Sequence, residues 1–329
     1  MKYFIKQLIE NNIEKDLIEK FTTLLSNING KFYVINPKQY KFKFSYLLYI
    51  PNKLESNTLI LHGNNLAQEE NNIMNIYSAV FETTSSAGYD LLSLHQPIIV
   101  PITSNYIHPA NNNMHEFFPM QASRNVLFCD DKNNTYYKLF EQINNMIDDC
   151  KKILFRKHNI TVADKIICHG FSSSSKFVLR YATCYPEKVV LLIAGGFGNQ
   201  AFVPLEKITI ENKEIELIYP IGIQDINYIT GKQFDYNNFK KMKQFYFIGE
   251  KENEDNDTAF NFRHTDEDIR NIYEKIFGDD YQNRFEKLVE IYRNLKYDNV
   301  EFVRYPNYAH SGTPGIQHTT ELILKYRNI

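Results

Sequence analysis

The sequence predicts an α/β protein whose mostly parallel central sheet is covered by helices on both faces. Two observations carry that expectation. Short continuous apolar runs, such as Thr58-Leu59-Ile60-Leu61 and Lys165-Ile166-Ile167-Cys168, read as strands buried on both faces. Between such runs lie segments with apolar residues at helical spacing, and strands that alternate with helices pair in parallel through crossovers. A chain of 329 residues, 43% hydrophobic and 23% charged, holds enough apolar material for a large core, which excludes disorder as its general state.

In chain order, residues 1–10 read as an amphipathic helix, because Lys6 and Glu10 interrupt the apolar run that a signal peptide would need. Residues 31–35 and 42–50 are strand-like, the second ending at Pro51. The strand at 58–61 closes with His62-Gly63, and 69–84 sets Ile73, Ile76, Tyr77 and Val80 on one helical face. A strand at 97–102 and a long loop at 104–135 precede a helix at 136–155, marked by Leu139, Ile143, Met146, Cys150 and Leu154. Strand 165–168, helix 173–185 and the aliphatic strand 188–194 follow. Strands at 244–248 and 300–304 complete the pattern, with helices over 266–297 and 313–326. Residues 196–243 break the alternation and carry their own strand at 215–219. They read as a cap or lid inserted over the carboxyl ends of the strands, where ligands bind in such sheets. The expected organisation is a core of 1–195 and 244–329, with the cap at 196–243.

Composition narrows the partners. A net charge of −2 offers no overall field for nucleic acid or an anionic membrane, and Lys240-Lys241-Met242-Lys243 reads as a solvated face. No apolar run approaches the ~20 residues needed to span a bilayer. The four cysteines, Cys129, Cys150, Cys168 and Cys184, have neither CxxC spacing nor histidine partners at zinc-site spacing, so buried thiols in a cytoplasmic protein are expected. The remaining histidines lack the paired helical spacing of a metal site; neither metal nor cofactor is expected.

The third buried strand runs into His169-Gly170-Phe171-Ser172-Ser173-Ser174. A nucleophile held on a tight strand-to-helix turn needs small residues two positions before and after it, and Gly170 and Ser174 are both small. The helix start after Ser172 also presents the amide of Ser173 to a developing oxyanion. A serine capping a helix N-terminus is the competing reading. Position in the chain favours the nucleophile, since an acidic loop and then a histidine follow later strands in the required order. His310 ends the last strand-to-loop segment, and a reference pKa near ~6.5 suits it to taking the serine proton. The loop after 244–248 offers Glu252, Glu254, Asp255 and Asp257 as the acid that orients His310. Asp255 is the favoured one, and the others stay open. A second oxyanion donor is expected from the loop after the first buried strand, where the amide of Asn64 follows Gly63. His62 reads as packing or hydrogen-bonding within that loop.

These residues resemble the α/β-hydrolase superfamily over about 42–326. The resemblance rests on Leu59-Ile60-Leu61-His62-Gly63-Asn64-Asn65, Gly170-Phe171-Ser172, Tyr219-Pro220-Ile221-Gly222, Asp255-Asn256-Asp257-Thr258 and His310. Within the superfamily the chain is similar to poorly characterised bacterial hydrolase-like proteins. The resemblance implies Ser172 as nucleophile, His310 as base and an acid between 252 and 257. It departs at Ser174, where such proteins carry Gly, and in the length of the acidic loop. The implied activity is cleavage of a small carboxylic ester or related acyl substrate through an acyl-enzyme. The alternative is a catalytically inactive binding or interaction protein on the same fold.

Overall fold

Tyr46–Pro51, Ile98–Pro101 and Ile166–Phe171 are buried at every position, as strands covered on both faces must be. The computed structural model describes residues 10, 15–26, 28–65, 73–85, 91–103, 119–197, 202–253, 267–278 and 280–329. Its strands are β1 (Gly30–Ile35), β2 (Tyr46–Pro51), β3 (Ile60–His62), β4 (Ile98–Pro101), β5 (Ile166–Phe171), β6 (Val189–Gly195), β7 (Lys207–Ile210), β8 (Lys213–Glu216), β9 (Lys243–Gly249) and β10 (Val300–Tyr305). The longer helices are α1 (Lys15–Ser26), α2 (Ile73–Ser85), α3 (Leu139–His158), α4 (Ser173–Cys184), α5 (Glu267–Phe277), α6 (Tyr281–Asn294) and α7 (Ile316–Tyr326).

Eight strands form one sheet in the order β1-β2-β4-β3-β5-β6-β9-β10, and β7-β8 form a separate hairpin. β2 pairs antiparallel with β1 and β4; every other pairing in the large sheet is parallel. Side chains alternate between two cores, as period-two pleating requires. On β2, Leu47 and Tyr49 join Phe21 of α1, Val80 of α2 and Leu322 of α7 on one face. Tyr46, Leu48 and Ile50 join Ile143 of α3, Phe177 of α4 and Phe285 of α6 on the other.

Several expectations are corrected. The strand expected at 42–50 begins only at Tyr46, because Phe42 instead bridges Lys38 in a preceding turn. A helix not anticipated, α1, packs Phe21 against the Tyr77 ring at 4.6 Å; the helix expected at 1–10 lies outside the described residues except Glu10. The single helix expected over 266–297 is two, α5 and α6. Gly278 turns the chain with φ +78°, and the Asp280 side chain accepts from the Asn283 amide at 2.8 Å to start α6. Between β6 and β9, the strand expected at 215–219 is β8, shifted to Lys213–Glu216 and paired with β7 through Glu211 and Asn212, both at positive φ. Val203, Leu217, Tyr219 and Phe239 from this insertion belong to the core beneath α4 and α6. Cys150, Cys168 and Cys184 are buried, and burial pushes all three thiols up, whereas Cys129 is only half-buried. Among the described residues no helix is long and apolar enough to cross a membrane.

Candidate active site

β5 delivers Ser172 at its carboxyl end, and α4 begins at the next residue. Ser172 has φ 59° and ψ −129°, a conformation that costs an L-residue energy and persists only where its surroundings hold it. The holding groups are identifiable. The Ser172 amide donates to the Gly195 carbonyl at the end of β6 (2.9 Å), and its carbonyl accepts from the Ser175 amide (3.0 Å) and hydroxyl (2.5 Å). A Cβ at Gly170 would lie 2.5 Å from the Ser174 carbonyl carbon, so only glycine lets the turn close.

Ser174 does not disturb this turn. Its hydroxyl accepts from the Phe171 amide at 2.9 Å and donates to the Phe171 carbonyl at 2.7 Å, spanning the elbow from inside. Room for it comes from Gly63, where a Cβ would fall 2.6 Å from Ser174 Cβ. The Ser174 amide donates to Asn65 Oδ1 at 2.6 Å, and Asn65 Nδ2 donates to Glu82 Oε2 at 3.0 Å. Asn65 therefore ties the loop after β3 to the start of α4. Asn64, beside it, is buried and donates from Nδ2 to the Thr103 carbonyl at 3.1 Å. Ser173, at the first position of α4, has one of the amides a helix leaves without an internal acceptor; its hydroxyl accepts from Gln121 Nε2 at 3.2 Å.

His310 lies in the loop after β10, with its ring centroid 4.8 Å from that of Phe171, the residue before Ser172. Its Nδ1 is 2.6 Å from Glu252 Oε1. A proton on Nδ1, donated to the carboxylate, leaves Nε2 as the acceptor of the neutral ring. Glu252 is 2% exposed, and its Oε2 accepts from the Gly249 amide at 3.1 Å while Oε1 also accepts from the Tyr281 hydroxyl at 2.5 Å. Backbone bonds from Glu250 to Tyr305 (2.9 Å) and from Lys251 to Tyr308 (2.7 Å) lash the acid loop to the segment that carries His310. Of the four carboxylates expected as the acid, Glu252 meets His310; Glu254, Asp255 and Asp257 lie outside the described residues.

His62 and His169 face each other on adjacent strands beneath the elbow, with His62 Nδ1 2.9 Å from the His169 carbonyl and 3.1 Å from His169 Nδ1. Burial pushes His62 down to about 4 and His169 well below the usual imidazole range, so both are neutral. His62 was expected to pack or hydrogen-bond within its own loop; its ring instead bonds across the strands to His169 of β5. Among the described residues, no three His, Cys, Asp or Glu side chains gather as a metal cage would need. Asn65, Gln121 and Tyr281 were not singled out as site residues in the sequence. Asn65 had a local signal, an amide side chain directly after Gly63-Asn64, whereas Gln121 and Tyr281 reach the site only through the fold.

A mostly parallel eight-stranded sheet in this order, with a strained serine between β5 and α4, is the α/β-hydrolase fold. No protein-family model matches the chain, and no curated protein matches it by sequence. Solved structures similar to it include the fluorophosphonate-binding serine hydrolase F of Staphylococcus aureus, at 11% identity over 91% of this chain and 99% of that one (TM-score 0.47). The poly(3-hydroxybutyrate) depolymerase LpqC of Bordetella parapertussis is 12% identical over 92% of each chain (TM-score 0.48). An S-formylglutathione hydrolase from Agrobacterium tumefaciens is 12% identical over 91% of this chain and 95% of that one (TM-score 0.45). The last two are named for different substrates, and the fold assignment stands on the strand order itself.

Proposed function

We propose that the chain is a serine hydrolase of small carboxylic esters or related acyl compounds, with Ser172, His310 and Glu252 as its catalytic triad. The observation that carries this reading is the 2.6 Å contact between His310 Nδ1 and the buried Glu252 carboxylate, in a ring that packs, tilted, against Phe171 beside the strained Ser172 turn. Ser172 Oγ attacks the substrate carbonyl carbon while its proton passes to His310 Nε2. The oxyanion so formed is met by the amides of Ser173 and Asn64. Collapse expels the alcohol, which takes the proton from His310, and leaves the acyl group on Ser172. Water then attacks the acyl carbon with His310 again as base, releasing the acid and restoring the serine. Glu252 orients the ring and stabilises its protonated form. Residues 196–243, which follow the carboxyl end of β6, are read as a cap over the substrate.

The inactive-binding alternative drew on Ser174 and an unsettled acid; the hydroxyl bonds of Ser174 and the position of Glu252 weaken both grounds. The test is covalent labelling with a fluorophosphonate probe, followed by steady-state hydrolysis of p-nitrophenyl acetate. Wild-type protein is expected to label and Ser172→Ala not to. Glu252→Gln should lower kcat by roughly three to four orders of magnitude, through the wrong imidazole tautomer, while Asp255→Asn stays near wild type. A folded wild-type chain that resists labelling would sink the hydrolase reading and leave the binding one.

A further inference from the structure

Glu252 Oε1 serves two donors at once. His310 Nδ1 lies 2.6 Å from it and the Tyr281 hydroxyl 2.5 Å, while Oε2 accepts from the Gly249 amide. We propose that Tyr281 is a positioning residue of this site: by sharing the oxygen on which His310 rests, its hydroxyl sets the pH at which His310 becomes a base. The inference rests on the reading of His310 as the general base.

The fold delivers Tyr281 by ending α5 at Phe277 and starting α6 at Tyr281, so that the first turn of α6 points into the acid loop. The next residue, Gln282, donates from Nε2 to the carbonyls of Gly249 (3.0 Å) and Glu252 (2.7 Å). Gln282, the Gly249 amide and the backbone bonds to Tyr305 and Tyr308 therefore hold the loop without help from the phenol. What the phenol adds is electrostatic. Two donors on one oxygen compete for the same electron density, so the tyrosine bond weakens the pull of the carboxylate on His310. Because a phenol is neutral, it does so without cancelling the negative charge that a lysine would neutralise. With the hydroxyl present, His310 gives up its proton at lower pH and is ready as a base over a wider range.

Among the described residues, the other titratable or charged groups on the segments packed here include Glu250 and Lys251 in the acid loop, Asp280 and Arg284 at the start of α6, and Glu301, Arg304, Tyr305 and Tyr308 on the chain leading to His310; Arg284 donates to the Gly278 carbonyl at 2.7 Å, Arg304 pairs with Glu286 at 3.0 Å and Glu301 with His318 at 3.1 Å. Glu250 Oε2 accepts from the Asn307 amide at 3.0 Å, and the contacts of Lys251 with Tyr308 are through the backbone. Among the described residues, only Tyr281, His310 and the Gly249 amide hydrogen-bond the Glu252 carboxylate.

Tyr281→Phe, which keeps the buried ring, separates this role from simple packing. An NMR titration of His310 in the full chain needs no turnover, and its midpoint is expected to rise by about one pH unit. In kcat/KM the variant should fall about tenfold below wild type on the acid side and recover once the pH passes the raised midpoint. A ring-fluorinated tyrosine at 281, a stronger donor, should move the midpoint the other way and serves if the phenylalanine variant does not fold. A His310 midpoint that is unchanged or lowered in Tyr281→Phe overturns the proposal, as does an activity loss of equal size at every pH. Absence of fluorophosphonate labelling in wild-type protein would instead count against the hydrolase reading, and the His310 titration would report on Tyr281 regardless.

Discussion

Ser174 stands where the turn was expected to hold glycine, and the space it needs is supplied from across the sheet. A Cβ added at Gly63 would meet Ser174 Cβ at 2.6 Å and the Ser174 carbonyl oxygen at 2.8 Å. The first of these contacts belongs to the side chain and disappears if Ser174 is glycine; the second belongs to the backbone and does not. Gly63→Ala should thus destabilise the fold by about 1–3 kcal/mol, the usual cost of overpacking, read as a lowered urea midpoint. In a Ser174→Gly background the same change should cost about 1 kcal/mol less, because the two residues touch and their effects do not add. Strict additivity in this double-mutant cycle would mean that Gly63 is required by the backbone at position 174 and not by the Ser174 side chain.

At the scale of elements, the buried strands were legible because aliphatic runs admit few alternatives, and Ser172 and His310 were legible because each follows such a strand. Glu252 was not separable from Glu254, Asp255 and Asp257, since all four stand in one polar loop. What the structure shows of Glu252 is its bonds to the Gly249 amide and to a hydroxyl from α6, partners that no local pattern announces. The two-helix break at Gly278 was hidden by apolar spacing that continues in phase through α5 and α6. β7 was hidden because the hairpin is half-exposed and its turn, Glu211-Asn212, lacks the glycine that usually marks one. The tie between the segment before α3 and the insertion was equally invisible. Arg124 pairs with the buried Asp225 at 2.6 Å and donates to the Tyr219 carbonyl at 2.9 Å, while the Tyr219 amide donates to Asp225 Oδ1 at 2.7 Å. Asp225→Ala takes the carboxylate from Arg124, which keeps the Tyr219 carbonyl, and leaves the Tyr219 amide without its acceptor. Since Arg124 keeps some contact with water, the loss should fall near the lower end for a broken buried pair, about 3 kcal/mol by urea denaturation. A loss below about 1 kcal/mol would make the pair a surface contact.

For the whole molecule, the centre of the sheet carries a dependence on pH of its own. His62 and His169 lie side by side on β3 and β5, where burial holds His62 down to about 4 and His169 well below the usual range. In the unfolded chain the same imidazoles take up protons near their ordinary 6.5. Above that pH both states are neutral and the stability is complete. As the pH falls from 6.5 toward 4, the unfolded chain binds protons that the folded chain refuses, so stability is progressively lost. For His62 alone the interval of roughly 2.5 units corresponds to a loss on the order of 3 kcal/mol. Urea midpoints should accordingly fall steeply across this window in the wild-type chain. His62→Gln, which cannot take up a proton, should lower stability at neutral pH yet flatten the fall below it. The slope, and not the absolute stability, is the decisive quantity: carboxylates contribute equally to both proteins, so an unchanged slope in the variant would mean that His62 takes up its proton in the folded sheet as readily as in the unfolded chain.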